Sequence, residues 1–112
     1  QIKMKNTENF VILICNTPNI ENAKLIAHNL VKEKLAACVN LLNGITSIYE
    51  WEGKIEEDIE VTMLIKTKLE YVVELENRIL ELHPYDIPEI IQLKVVASNS
   101  KYYHWLSEVL KN

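Results

Sequence analysis

From Leu35 to Lys66 the chain reads as two extended arms, and the turn signals inside this stretch decide how long those arms are. Val39, Leu41, Ile45, Ser47, Tyr49 and Trp51 share one parity, and Cys38, Asn40, Leu42 and Ile48 the other. Asn43-Gly44 is a strong local signal for a tight hairpin. Glu52-Gly53 is a second turn signal. Either Asn43-Gly44 closes a first hairpin, or it is a bulge in one long strand and only Glu52-Gly53 reverses the chain. In the second case each arm runs to ~13 residues, about 40 Å at ~3.3 Å per residue. A domain of this length has a radius of gyration near ~13 Å, so such a ribbon overhangs its own globule. Two strands alone are marginal in water, and exposed Tyr49 and Trp51 on them would promote aggregation. Sister subunits packing on the ribbon remove that hazard. A meander turning at Asn43-Gly44 needs no partner, and local signals leave the two arrangements balanced.

The elements around this ribbon have conventional signatures. Phe10 to Cys15 is an apolar, β-branched run suited to a central strand. Thr17 as N-cap and Pro18 at the first helical position predict a helix over 20–34, with Ala23, Ile26, Ala27, Leu30 and Lys34 on one stripe. Val61, Met63 and Ile65 alternate with Glu60, Thr62, Leu64 and Lys66 as a strand. Thr67 and Glu70 have capping-box spacing, followed by Val72, Leu75, Ile79 and Leu82 at helical spacing. Pro84 ends that helix, because the residue before a proline is pushed out of the helical region. Residues 90–97 alternate as a fourth strand, Ser98-Asn99-Ser100 is a cap cluster, and 102–110 is a short terminal helix. The order is βαββαβ plus one helix: an α+β, ferredoxin-like sandwich, with residues 1–9 as a tail and 10–112 as one domain. Both long helices lie on one face of the sheet. The other face still carries apolar residues, to be covered by the terminal helix, a partner chain or both.

Composition excludes several classes. The chain has 112 residues, 48% hydrophobic and 25% charged, with a net charge of −4 and no Lys/Arg stripe, so nucleic acid is not an expected partner. No apolar run approaches the ~20 residues that span a bilayer, so no direct membrane insertion is expected. Cys15 and Cys38 form no CxxC, and a secreted framework of this size would carry more cysteines. A reducing, cytoplasmic setting is expected, or an organellar one if a targeting segment was removed ahead of Gln1. Nothing resembles a P-loop, a nucleophile elbow or a paired nucleophile and base, so no enzymatic activity is expected.

Three segments, "KLAACVN" (residues 34–40), "SIYEWEGKIEEDIEVTMLIKT" (47–67) and "HPYDIPEI" (83–90), occur in the order and spacing of the CutA divalent-ion tolerance proteins. The chain resembles that family from about Phe10 to Leu110. The resemblance implies a tight homotrimer, architecturally similar to PII signalling proteins, whose long hairpins extend their sheets across the interfaces. It favours a bent long strand at Asn43-Gly44 over a hairpin. It also implies a link to tolerance of copper and other divalent cations, with no reaction attached; animal members are associated with anchoring a membrane-bound esterase.

The candidate sites follow from both readings. Cys15 ends the first strand just before a helix, where a thiolate suits copper(I) or another soft ion; the alternative is a packed core thiol. The resemblance pairs such a cysteine with histidines at the segment matching Leu82-His83. Here His83 is kept, and Leu82 stands where some relatives carry another histidine. Copper or another divalent cation is thus the expected ligand, none of them obligatory. His83 also reads as a residue favoured at a helix C-terminus by the helix dipole. Cys38 reads as a packed strand cysteine, and His28 and His104 as surface or packing residues. The loop of "HPYDIPEI" is stiffened by Pro84 and Pro88 and displays polar groups, as functional loops do. By resemblance, Trp51, Glu60, Lys66, Tyr85 and Glu89 line an intersubunit cleft, with Tyr49 and Trp51 at the interface. Glu60–Lys66 is equally an interface bridge. The acids at Glu50, Glu52, Glu56, Glu57, Asp58 and Glu60 read as a solvated face. The second functional class is a PII-like sensor whose clefts bind a small anion or nucleotide, or a trimeric scaffold that recruits an unidentified protein partner.

Overall fold

A computed structural model describes residues 4–110. Its elements are β1 (Met4–Asn6), β2 (Phe10–Thr17), α1 (Ile20–Lys32), β3 (Cys38–Trp51), β4 (Lys54–Lys68), α2 (Val72–Leu82), β5 (Ile90–Lys94), β6 (Ala97–Asn99) and α3 (Ser100–Val109), with one 3-10 turn at Leu69–Tyr71. Four strands form an antiparallel sheet in the order β3-β4-β2-β5. β1 and β6 form a separate two-stranded pair, Met4 opposite Asn99, so the segment expected as a tail contributes a strand. Among the described residues no helix is long and apolar enough to cross a membrane.

The alternation of β2 and β4 sorts the core into two clusters. Val11, Leu13 and Cys15 of β2 and Val61, Met63 and Ile65 of β4 are buried with Ala23, Ile26 and Leu30 of α1 and Leu75 and Ile79 of α2. On the opposite face Phe10 and Ile12 pack with Leu106 and Leu110 and with Tyr102, Tyr103 and Val109 around α3. Trp105 on this helix stays exposed. The face is only partly covered, since Ile91 and Leu93 of β5 and Leu42 of β3 stay exposed there.

Several helix ends differ from the sequence reading. Asn19 caps α1, accepting from the Asn22 N–H at 2.8 Å. Thr17 stays in β2, and its buried hydroxyl donates to the Asn19 carbonyl at 3.0 Å. α1 ends at Lys32 because Lys34 adopts φ +61°, with Leu35 N–H bonding back to Leu30 O and Lys34 N–H to Val31 O. That is a Schellman closure with a lysine in the left-handed position, where glycine is commoner. Thr67 forms no capping box. Its buried hydroxyl donates to Leu35 O at 2.6 Å, tying β4 to the chain leaving α1. α2 stops at Leu82, ahead of Pro84, as expected.

The ribbon is the long one. β3 has 14 residues and β4 has 15, reversed at Glu52-Gly53, where φ is +50° and +80°. Asn43-Gly44 is a bulge: Leu42 lies opposite Thr62 and Ile45 opposite Glu60, so β3 spends one extra residue there. Gly44 has φ +71°, which a residue with a Cβ adopts only at a cost. The extra residue inverts the parity. Val39 and Leu41 face the helices, opposite Ile65 and Met63, whereas Ile45, Ser47, Tyr49 and Trp51 share the opposite face with Glu60, Asp58 and Glu56. The single parity read across the whole arm is therefore corrected. The chain measures 50 × 26 × 21 Å with a radius of gyration of 15.1 Å, against ~13 Å for a compact domain of this size. The surplus is the ribbon. Its far half leaves Ile48, Ile55 and Ile59 exposed on one face (Ile55 at 72% and Ile59 at 73%) and Tyr49 and Trp51 on the other.

Candidate functional site

The inner edge of the ribbon and the loop after α2 enclose an open cleft of about 990 Å³, lined by Asn16 at the end of β2, by Ser47, Tyr49, Trp51 and Glu60 of the ribbon, and by Tyr85, Asp86 and Glu89 of the loop. The loop is held by His83. Its Nε2 lies 2.7 Å from the Asn16 carbonyl, and its Nδ1 accepts from the Tyr85 N–H at 3.1 Å. A carbonyl only accepts, so Nε2 carries the hydrogen and the ring is the neutral Nε2–H tautomer. Both ring nitrogens are thereby committed to backbone, on a residue 8% exposed. A tilted contact with the Tyr85 ring, centroids 4.9 Å apart and planes at 51°, adds to the clamp.

Tyr85 carries the clamp into the cleft, where its hydroxyl donates to Glu60 Oε2 at 2.9 Å. Burial, then this bond and the Glu60 charge, push the Tyr85 phenol up to about 12. Across the cleft Tyr49 donates to Asp58, and that bond raises its phenol too. Asn16 completes the floor, accepting from Thr62 at 2.7 Å and reaching Glu89 at 3.5 Å.

Trp51, Glu60, Tyr85 and Glu89 line one cleft within this chain, where the resemblance implied a cleft between subunits. Lys66 does not join them. It lies farther down β4, opposite Cys38 and Ile12, with Nζ 5.7 Å from the Tyr102 ring centroid. No Glu60–Lys66 ion pair exists among the described residues, because Glu60 turns to Tyr85 instead. Asn16 and Ser47 were not singled out from sequence, whereas Asp86 was read with Tyr85 as displayed on the stiff loop. The β2–β5 register and the parity inversion at Gly44, which bring Asn16 and Ser47 to the cleft, are invisible to local pattern.

Cys15 is fully buried in the helix-side cluster, and its thiol is pushed up to about 12 by burial first and by Glu89 and Glu60 second. A soft metal ion needs the thiolate, which this environment opposes. No group of three His, Cys, Asp or Glu side chains converges to hold a metal among the described residues. As the chain stands, Cys15 is a buried thiol and His83 bonds backbone through both ring nitrogens. Cys38 is half-buried on β3, and His104 pairs with Glu108 on the exposed side of α3 at 3.3 Å.

The profile of the family described as CutA1 divalent ion tolerance protein matches residues 11–109. The chain belongs to the CutA1 family. Protein CutA of Mus musculus is 50% identical over 95 residues, covering 85% of this chain and 54% of that protein. The chloroplastic Protein CutA of Arabidopsis thaliana is 40% identical over 102 residues, covering 91% and 56%. The chain spans about half the length of these two CutA proteins. The solved structure of CutA from Synechococcus elongatus superimposes with a TM-score of 0.94 at 31% identity, covering 97% of this chain and 96% of that one. The CutA1 fold is thus α+β, with a four-stranded antiparallel sheet and three helices.

Proposed function

We propose that this chain works as a homotrimer in divalent-cation tolerance and catalyses no reaction. The observation that carries the reading is the overhanging ribbon. Ile48, Ile55 and Ile59 on one face and Tyr49 and Trp51 on the other stand in water on two unsupported strands. A symmetric assembly is the ordinary way for such surfaces to be buried. The strand order β3-β4-β2-β5 with both long helices on one face fits the ferredoxin-like arrangement that the resemblance implies. Sedimentation at micromolar concentration is expected to give three times the 13.0 kDa protomer mass; a 13.0 kDa species overturns the reading.

Copper or another divalent cation is the cargo in this proposal. Cys15 and His83 become ligands only in an opened state, in which His83 has released a backbone partner. Copper titration by calorimetry on the wild type and Cys15→Ala tests this, and identical isotherms remove Cys15 from the site. A second reading is favoured by the cleft itself: a PII-like small-molecule sensor, or a scaffold that recruits a protein partner. A thermal-shift screen of metabolites against metals separates the two. A cytoplasmic location is proposed, with an organelle as the alternative, given that the Arabidopsis relative is named as chloroplastic.

A further inference from the structure

We propose that Asn43 is a covalent modification site, where the Gly44 nitrogen displaces the side-chain amide and the resulting isoaspartate throws the outer ribbon out of phase. Asn43 is the one asparagine of the sequence that glycine follows, and its turn signal does not turn the chain. Asparagine is among the thermolabile residues. The step lies within the chain and needs only base and water. The Gly44 nitrogen gives up its proton and bonds to the Asn43 side-chain carbonyl carbon. The bond from that carbon to Nδ2 breaks, and Nδ2 leaves as ammonia. Water then opens the cyclic imide. Attack at the side-chain carbonyl gives aspartate. Attack at the main-chain carbonyl gives isoaspartate, whose main chain runs through the side-chain carbons.

Three features of the fold direct this step to Asn43. It lies on the bulge: the register passes from Leu42 opposite Thr62 to Ile45 opposite Glu60, so neither Asn43 nor Gly44 has a partner on β4. A residue left out of the ladder is not held by it. The attacking nitrogen is unshielded within the chain, since Gly44 has φ +71° and a Cβ built there meets nothing within 4 Å. The Asn43 side chain makes no hydrogen bond among the described residues. Asn99, followed by the small Ser100, is the next candidate by sequence, but its side chain is committed as a helix cap to the Lys101 and Tyr102 N–H groups. An adjoining subunit takes no part in the reaction. A strand paired to the outer edge of β3 would hold the Gly44 peptide still, and a bulge on an edge strand opposes such pairing. Either product adds a carboxylate beside the rung of Ile45 and the nearly buried Glu60. Isoaspartate also lengthens the main chain at the bulge that sets which way Tyr49 and Trp51 face. Their displacement from sister subunits rests on the trimer reading, and the modification itself does not.

The assembled protein is aged in warm, mildly alkaline buffer, and its peptides are mapped by mass spectrometry with fragmentation that separates isoaspartate from aspartate. Asn43 is expected to convert at least tenfold faster than any other asparagine, with isoaspartate exceeding aspartate. Gly44→Ala shields the nitrogen with a methyl group, and Asn43→Gln lengthens the side chain so that the ring closes far more slowly. Each is expected to slow conversion at this position at least tenfold. An intact Asn43, conversion of Asn99 at the same rate, or an unchanged rate in both variants overturns the proposal. The aged sample is then fractionated by size. Isoaspartyl chains are expected to be depleted at least threefold from the assembled fraction, and equal shares overturn the displacement. Asn43→Asp adds the charge without lengthening the main chain and is expected to stay assembled; its dissociation assigns the effect to charge and overturns the phase argument. Fresh protein that sediments as a single chain removes the trimer reading alone. Conversion is then scored as before and displacement by the Trp51 indole N–H resonance, whose constancy in isoaspartyl chains overturns it.

Discussion

Replacing His83 with phenylalanine tests how the cleft wall is held. The ring bridges two backbone groups, the Asn16 carbonyl and the Tyr85 N–H, at a position only 8% exposed. Phenylalanine fills a similar volume and serves neither. Each buried backbone group left unpaired costs about 1–3 kcal/mol. Both bonds are only partly buried, so water and the additional apolar burial recover part of that, and the net loss is about 1–3 kcal/mol, a sizeable share of an ordinary domain's stability. Urea unfolding at fixed protomer concentration measures it, and the concentration must be held because assembly couples to apparent stability. The slope of the transition should be unchanged, with the midpoint moving to lower urea. Ring nitrogen and carbon NMR of the wild type at neutral pH should report the Nε2–H tautomer. A loss below ~0.5 kcal/mol, within the range of ordinary surface substitutions, or the Nδ1–H tautomer, refutes the bridging role.

Two further outcomes are expected. The Cys15 thiol, raised from its ordinary 9.0 to about 12, keeps its proton in the fold at pH values where the unfolded chain has lost it. The unfolded state then binds fewer protons, so stability is intact below about pH 9 and falls as pH rises toward 12, by ~1.4 kcal/mol per pH unit. Cys15→Ala should flatten that decline in urea titrations at pH 8 to 10.5, whatever its own packing cost, and an unchanged slope contradicts the assignment. Gly44→Ala should cost about 1 kcal/mol, since φ is +71° but nothing stands within 4 Å of the new Cβ. Its thermal midpoint checks this, and a neutral result means the bulge relaxes.

Much of the fold was legible because apolar periodicity and prolines act locally. The alternation of Val61, Met63 and Ile65 and the stop before Pro84 needed only neighbouring residues. The misread helix ends share a cause. Thr17 and Thr67 have the right chemistry for caps, but both are buried in strands, where their hydroxyls satisfy carbonyls instead, of nearby Asn19 and of distant Leu35 respectively. Sheet pairing outweighed local capping preference there. The cleft was partly legible: Tyr85 and Asp86 stood out on a stiff loop, and only the family resemblance set Glu89, Glu60 and Trp51 beside them. Within this chain Lys66 lies apart from the cleft, because α3 returns over the sheet and brings Tyr102 to it.

The bulge at Asn43-Gly44 acts as a phase setter for everything beyond it. Lengthening each arm by two residues would move the tip outward by about 7 Å and leave Tyr49 and Trp51 looking the same way. An insertion of a single residue in one arm would turn them through half a rotation, unless the bulge were lost at the same time. The reach of the ribbon is therefore free to drift among relatives only in paired steps, and the kink and the aromatic tip must be inherited together.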